Sequence, residues 1–269
     1  MRVHHLNCGS MFPYFPRVRA IVYCLLVETN DGLLLVDTGF GIKDYTDPTR
    51  LMRLFTRSLR TPCDLEETAA RQVVKLGYNV EDVKHIVLTH LHLDHAGGLP
   101  DFAAAKVHVH GPEYEAAMHP RGFMECFYNP AHWSHGPQWV IHEFAGEKWF
   151  GFDCMPVQDG LEPQILLIPL PGHTRGHCGV AIKTPKGWLL HCGDAASPLH
   201  PQANPYAPFG GAPSWWVRRL LGSHVPRLRA LVRAHGDEVT LISGHDVHSF
   251  MSNHDGRWAT TTPKVHGAR

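Results

Sequence analysis

No run of this chain reaches the roughly 18 apolar residues that a membrane-spanning helix needs, and no segment reads as a basic, apolar and small-residue secretory leader. These absences predict a cytoplasmic protein with no membrane partner. Net charge is missing too, because 25 Lys and Arg balance 25 Asp and Glu. That balance gives no reason to expect a nucleic-acid partner. Cysteine is sparse and irregular: Cys8, Cys24, Cys63, Cys126, Cys154, Cys178 and Cys192 are odd in number and contain no CxxC pair. The pattern argues against a disulfide framework or a zinc knuckle and predicts reduced thiols. No internal repeat or low-complexity segment is evident. What the chain has in quantity is histidine, 22 residues, nearly as many as either charge class.

With 269 residues and 43% hydrophobic composition, the chain suits one large domain spanning 1–269. Residues 18–27 (VRAIVYCLLV) and 32–36 (GLLLV) read as a hairpin that delivers Asp37 at its end. A helix is predicted over 48–60, and a second from Asp64, with Glu67 completing a capping box and Gly77 ending it. HIVLTH is a short strand that places His90 at its exit; a helix starting near His95 or Gly97 would be short, since Pro100 follows. KVHVH at 106–110 predicts a strand and 112–118 a helix. Residues 119–163 are less regular and rich in aromatics, which fits either an active-site excursion or a satellite core built on Phe123, Phe127, Trp133, Trp139, Trp149 and Phe152. Strands resume at 164–170, 178–184 and 187–194; a helical region follows over 215–235, with a division at Pro226, and EVTLISGHD adds a last strand. The halves share an order of strands, helix and strand.

In HLHLDH, His90 and His92 stand two positions apart on an extended exit and can point the same way, with Asp94 and His95 on the following turn. Imidazole with carboxylate suits zinc, manganese, iron and related divalent ions, and the spacing allows one ion or two neighbours. The second half adds His173 in LPLPGHT, Asp194 in LLHCGDA and His245 in TLISGH, each after an apolar strand and a glycine. Isolated histidines such as His4, His85, His108, His191 and His266 read as structural or solvated. His5, His110, His132, His135 and His248 are weak candidates for the mouth of a cleft. A packed core seldom collects so many polar rings as 90–95 holds without partners. Gly97 and Gly98 read as room for the chain to turn away beneath the site.

HLHLDH at 90–95, preceded by VDTG at 36–39 and followed by PGHT at 171–174, GD at 193–194 and SGHD at 243–246, resembles the metallo-β-lactamase fold superfamily over almost the whole chain. The resemblance implies an α+β fold, a four-layer αβ/βα sandwich in which two facing mixed sheets carry helices outside and metals at one edge. It implies two divalent ions per chain, with Zn2+ as the default and Mn2+, Fe2+ or Co2+ accepted by the same donors. His90, His92 and His173 would hold the first; Asp94, His95 and His245 the second; Asp194 would bridge them, and Asp37 would orient a ligand histidine. Asp94 and Asp194 become the catalytic candidates, in a hydrolysis where a bridging hydroxide attacks an ester or lactone carbonyl.

Within that superfamily, Asp194 stands where some zinc β-lactamases place cysteine, and His92 stands where flavodiiron proteins place an acid. HLHLDHAGG, PGHTRGH and GDA are similar to the quorum-quenching acyl-homoserine lactonases, which implies a small lactone or ester substrate and a homodimer as a candidate assembly. Those lactonases often carry a tyrosine three residues after the bridging aspartate; this chain has Ser197. His200, Tyr206, Phe12, Phe15 and Trp133 are the other candidate substrate contacts. Phe12, Tyr14, Phe15, Trp215 and Trp216 fit an acyl-chain entrance, an oligomer interface or core packing. Phosphotriesterase, β-lactamase, thioesterase and phosphodiesterase activities are the alternatives on this fold, although Arg257 and Lys264 alone make no glutathione-binding cluster. A nonenzymatic metal-dependent binding module is the remote one.

Overall fold

Strand β2 (Ala20–Thr29) explains the architecture: Val22, Cys24 and Leu26 pack toward helices, while Ile21, Tyr23, Leu25 and Val27 pack toward a second sheet. A strand covered on both faces needs a continuous apolar run rather than alternation, and VRAIVYCLLV supplies one. The computed structural model describes all residues except 15–17, 123, 145, 198–203, 207–214, 216–217, 219–220 and 254–269. The first sheet runs in the order β1 (Val3–Met11), β2, β3 (Gly32–Val36), β4 (Val83–Val87), β5 (Lys106–His110) and β6 (Gln138–His142). The second runs β12 (Val239–Ile242), β11 (Gly187–His191), β10 (Cys178–Thr184), β9 (Ile165–Pro169), β8 (Phe152–Pro156) and β7 (Glu147–Trp149). Both are mixed, as expected for the sandwich. β3, β4, β5 and β6 pair in parallel, β11 pairs β12 in parallel, and the remaining neighbours are antiparallel.

Three apolar clusters fill the layers. One joins the outer face of the first sheet to Met52, Ala69, Ala70, Val73, Leu99 and Phe102; one lies between the sheets; the third joins the second sheet to Val225, Leu228 and Leu231 of the helix Val225–His235. Because β9 runs antiparallel to β10 and β10 antiparallel to β11, strands β9, β11 and β12 share a direction. Their C-terminal loops, with that of β4, carry the metal-ligand candidates, and the exit of β3 carries Asp37. Backbone bonds tie these loops together: Cys178 N–H to Thr89 O at 2.8 Å, Tyr23 N–H to Gly244 O at 2.8 Å, and Gly244 N–H to Gly193 O at 2.9 Å.

Several local expectations change. Asp64 caps only a 3-10 turn, Leu65–Glu67, and Glu67 does not reach back to it; its carboxylate accepts from the Ser10 N–H at 2.7 Å and hydroxyl at 2.6 Å on β1. A tertiary partner has outcompeted the capping box, and the α-helix begins at Ala69. The short helix after HLH starts at Leu93, with His92 as its cap. The expected division near Pro226 is present: residues 215, 218 and 221 are helical, the helix breaks at 222–224, and Pro226 occupies the first turn of the next, Val225–His235, where its missing N–H costs nothing. Residues 119–163 are the crossing between sheets, contributing β6 to one and β7 and β8 to the other. Of their aromatics, Trp133 and Trp139 pack on the first cluster, Trp149 and Phe152 belong to the third, and Phe123 lies outside the described residues. No helix among the described residues is long and apolar enough to cross a membrane.

Candidate metal centre

Seven side chains from four loops converge where the two sheets' loops meet. Ligand atoms of His90, His92 and His173 lie within 4.8 Å of one another, as do those of Asp94, His95 and His245, and those of His90, His95 and Asp194. Asp194 faces both groups: its Oδ1 lies 3.6 Å from His95 Nε2, and its Oδ2 lies 3.5 Å from His173 Nε2 and 3.2 Å from His245 Nε2. Asp94 Oδ2 stands 3.6 Å from His245 Nε2 and 3.9 Å from His95 Nε2. His173 Nε2 and His92 Nδ1 approach to 3.0 Å.

The surroundings fix which nitrogen three of the rings present. Thr89 donates its hydroxyl to Asp37 Oδ2 at 2.8 Å, so its oxygen must accept the Nδ1–H of His90 at 3.0 Å. His95 donates Nδ1–H to Asp37 Oδ2 at 2.8 Å, and His245 donates Nδ1–H to Ile21 O at 2.8 Å. Each bond leaves an Nε2 lone pair aimed inward, and the tautomers follow from the partners. The expected orienting role of Asp37 has this geometry: it holds His95 directly and His90 through Thr89, and it also accepts the Thr89 N–H at 2.8 Å.

His245 Nε2 lies within hydrogen-bond distance of Asp194 Oδ2, at 3.2 Å, but not every inward atom is answered in this way. Among the described residues, buried His90 Nε2, His95 Nε2 and Asp194 Oδ1 have no hydrogen-bond partner. Three converging orphaned acceptors would be costly in a dry interior, and a divalent cation satisfies all three at once. The electrostatics agree. Burial opposes protonation of His95, but Asp94, Asp194 and Asp37 outweigh it and push its pKa up to about 9. Burial likewise opposes, and Asp194 and Asp94 reverse, the shift that takes His245 up to about 10. His245 and His95 overcome burial to hold Asp194 well below the carboxylate range, while burial beside other rings keeps His90 and His92 well below the imidazole range. Positive charge is stabilised between the carboxylates, which is the condition for cation binding.

His92, Asp94, His173, Asp194 and His245 line one end of a cavity of about 340 Å³ whose walls are Met11, Pro13, Val18, Ala20, Phe55, Leu59, Met124 and Phe127. Of the candidate substrate contacts, Phe12 is next to two wall residues and lies 5.8 Å from the Arg19 guanidinium; Trp133 packs in the first cluster. Tyr206 is placed elsewhere, its hydroxyl donating to Leu241 O at 2.5 Å and accepting from Leu241 N–H at 2.9 Å. Ser197 is partly buried and not among the wall residues. Trp215 is exposed, and Phe15, His200, Trp216, Arg257, Lys264 and His266 lie outside the described residues. Gly97 and Gly98 have ordinary negative φ values, −60° and −80°, so they make no turn that requires glycine. Their function is close approach: a Cβ on Gly97 would meet Asp44 Oδ2 at 2.2 Å, and one on Gly98 would meet Thr38 O at 2.8 Å.

Sequence reasoning missed Thr89, the cavity walls and His177. The last is fully buried, its ring 5.0 Å from that of His90, and its Nε2 accepts the Asp194 N–H at 3.0 Å. Its place in PGHTRGH was the available signal.

Comparison with known proteins bears on the same geometry. A probable metallo-hydrolase of Mycobacterium tuberculosis is 47% identical over 196 residues, 72% of this chain and 62% of that one, so the match leaves more than a third of the relative unspanned. An N-acyl homoserine lactonase of a Bacillus species is 29% identical over 228 residues, 84% of this chain and 81% of the other. The crystal structure of a B. thuringiensis AiiA mutant with N-decanoyl-L-homoserine at its active site superposes with a TM-score of 0.67 at 24% identity, covering 93% of this chain and 95% of that one. The family profile described as the metallo-beta-lactamase superfamily matches residues 17–245, which include every metal-ligand candidate, and the chain belongs to that superfamily.

Proposed function

We propose that the chain is a metal-dependent hydrolase that opens a neutral ester or lactone, with N-acyl-homoserine lactones as the substrate class. The observation that carries this reading is the cavity: its polar lining consists of five ligand-type side chains, its walls are apolar, and no Lys or Arg stands among the described lining residues. An anionic phosphoryl or glutathione group would find no cation there, whereas an acyl chain finds a matching surface. The lactonase relative supports the same class, since its name states that activity.

His90, His92 and His173 would hold one divalent ion and Asp94, His95 and His245 a second, with Asp194 shared between them. Zn2+ suits the mixed imidazole and carboxylate donors, and Mn2+, Fe2+ and Co2+ suit them as well. When bound, such a pair supplies an acidified water and Lewis-acid stabilisation of the carbonyl oxygen. The chain supplies the rest. Asp37 and Thr89 hold the His95 and His90 imidazoles each in one tautomer. Asp94, lining the cavity floor, is placed to orient the attacking water or the proton of the leaving hydroxyl. The Met11, Phe55, Leu59, Met124 and Phe127 walls bind the acyl chain and exclude water. Seven unpaired cysteines fit a reducing, cytoplasmic setting.

The test is ring opening of butanoyl to decanoyl homoserine lactones by Zn2+-loaded protein, beside a phosphotriester, a β-lactam, a thioester and a phosphodiester. Lactone turnover is expected, with kcat/KM rising by roughly fourfold per added methylene, the ~0.8 kcal/mol of burying one, until the cavity fills. Good turnover of another class without ring opening would overturn the assignment.

A further inference from the structure

Glu113 is a fully buried carboxylate, 1% exposed, that takes no part in the cavity. It stands in the first turn of the helix Gly111–Met118, which follows β5. Its Oε1 accepts the Leu91 N–H at 2.9 Å and the Tyr128 hydroxyl at 3.0 Å. Its Oε2 accepts the Thr174 hydroxyl at 2.5 Å and the Gly176 N–H at 3.2 Å. Leu91 lies between His90 and His92, and Thr174 follows His173. Tyr128 is joined to His92 through an isolated backbone bridge, with the two rings 5.4 Å apart. One carboxylate therefore gathers the two loops that deliver His90, His92 and His173, together with the segment that leans on His92.

The approach is tight enough to exclude slack. A Cβ on Gly176 would meet Glu113 N at 1.9 Å and Glu113 Cα at 2.4 Å, so the loop lies directly on the start of the helix. The Nδ1–H of His110 adds a bond to Gly176 O at 2.9 Å from the end of β5. Burial pushes the Glu113 carboxyl up, against the pull of its four donors. A buried carboxylate is expensive, and an apolar residue would fill the same space more cheaply unless the bonds are needed.

We infer that Glu113 is a positioning residue, setting the separation of the His90–His92 loop from the His173 loop and so the geometry of the first metal position. This rests on reading the site as a metal centre. A carboxylate, and not its amide, is required by the donors. Each oxygen receives one backbone N–H, and a backbone N–H cannot turn away as a hydroxyl can. Whichever way a glutamine amide faces, its NH2 group meets either Leu91 N–H or Gly176 N–H, and one loop loses its tie.

Parent protein, Glu113→Gln and Thr174→Val are loaded with Co2+, and two properties are read: affinity at each position by chelator competition, and the visible d–d bands that report coordination. The parent is expected to bind two ions. Glu113→Gln should keep the parent circular dichroism, weaken one position by about 10–100-fold and displace its d–d bands, the effect expected when support behind a ligand is lost. Thr174→Val, losing one hydroxyl and no backbone tie, should weaken the same position by a few fold. A folded Glu113→Gln with parent affinity and spectrum overturns the inference, even if its thermal midpoint drops, because Glu113 would then be structural only. If Glu113→Gln does not fold, Thr174→Val decides, and parent affinity and spectrum there overturn it. A parent that binds no cobalt removes the metal reading itself, a result distinct from either.

Discussion

One group of histidines lies where the loops of the two sheets meet and another lies across the first sheet, and they use their nitrogens in opposite ways. At the loop end, His90, His95 and His245 each anchor Nδ1–H to an oxygen outside the cluster and turn Nε2 inward. Across β4, β5 and β6, His85, His108 and His142 form a ladder. His85 Nε2–H reaches Asp31 Oδ2 at 3.0 Å, His108 Nε2–H reaches His85 Nδ1 at 3.0 Å, and His142 Nε2–H reaches His108 Nδ1 at 2.9 Å. One proton order satisfies the ladder with every ring neutral and no cation needed. His108 is 1% exposed, the same as His95, and its ring stacks on His142 at 5.2 Å. Burial and imidazole density are shared; what separates the groups is that, among the described residues, His90 Nε2 and His95 Nε2 have no hydrogen-bond partner and His245 Nε2 meets only the shared Asp194, whereas the ladder's rings answer one another. Structural ladder and metal centre are therefore distinguishable by hydrogen-bond accounting alone.

The comparison breaks most sharply at Asp194, the carboxylate shared by both ligand groups. Asp194→Ala should cost one of the two metal ions and at least about a hundred-fold in turnover, more than the loss of a residue that only supports a ligand. Elemental analysis beside the lactone assay checks it; unchanged metal content and rate would defeat the bridging assignment. Asp37→Asn is next. Its amide can serve only part of the set of Thr89 N–H, Thr89 hydroxyl and His95 Nδ1–H, so His95 loses its fixed tautomer. Metal affinity should fall about 10–100-fold, read by chelator titration.

Much of this was legible in the chain because the determinants are local. Apolar runs bounded by glycine and turn residues marked β5 and β9–β12, and the ligand candidates stand at strand exits that the runs define. What was not legible depends on distant partners. Glu67 looks like a capping residue until Ser10 on β1 is beside it. Glu113 looks like an ordinary acid favouring a helix N-terminus; only the fold brings residues 91, 128, 174 and 176 to its two oxygens. The cavity walls come from β1, the 13–20 segment, the helix Arg50–Ser58 and its exit, and 124–127, and no spacing rule links them. The same holds for the ladder, whose rings are neighbours only across strands in parallel register.

A ladder variant sharpens the contrast from the other side. His108→Phe should leave two metals per chain and near-parent turnover, but destabilise the fold by about 1–3 kcal/mol, because His85 Nδ1 and His142 Nε2 lose their partner. Burial, then His142 and His85, push the His108 pKa down from 6.5 to about 3. The unfolded chain therefore binds a proton at this ring before the folded one does. Its penalty is absent above about 6.5 and grows as pH falls toward 3, by up to ~1.4 kcal/mol per unit. Denaturant melts of parent and variant across that window isolate the ring in the difference between the two curves. Equal slopes, or a lost metal, would remove the distinction between the clusters.

The smallest expected effect concerns Tyr206, the candidate replacement for the tyrosine that lactonase-like chains carry where Ser197 stands. Its hydroxyl both donates to and accepts from Leu241 on β12, so it is fully engaged by backbone and is not held toward the cavity. Tyr206→Phe should lower stability by about 1 kcal/mol, the net worth of such a bond, and change lactone kcat/KM by less than about twofold. A tenfold fall with unchanged metal content would mean that the hydroxyl leaves Leu241 to reach the substrate. The carbonyl would then be held by a side chain as well as by the metal centre, and the apolar walls would no longer account for recognition alone.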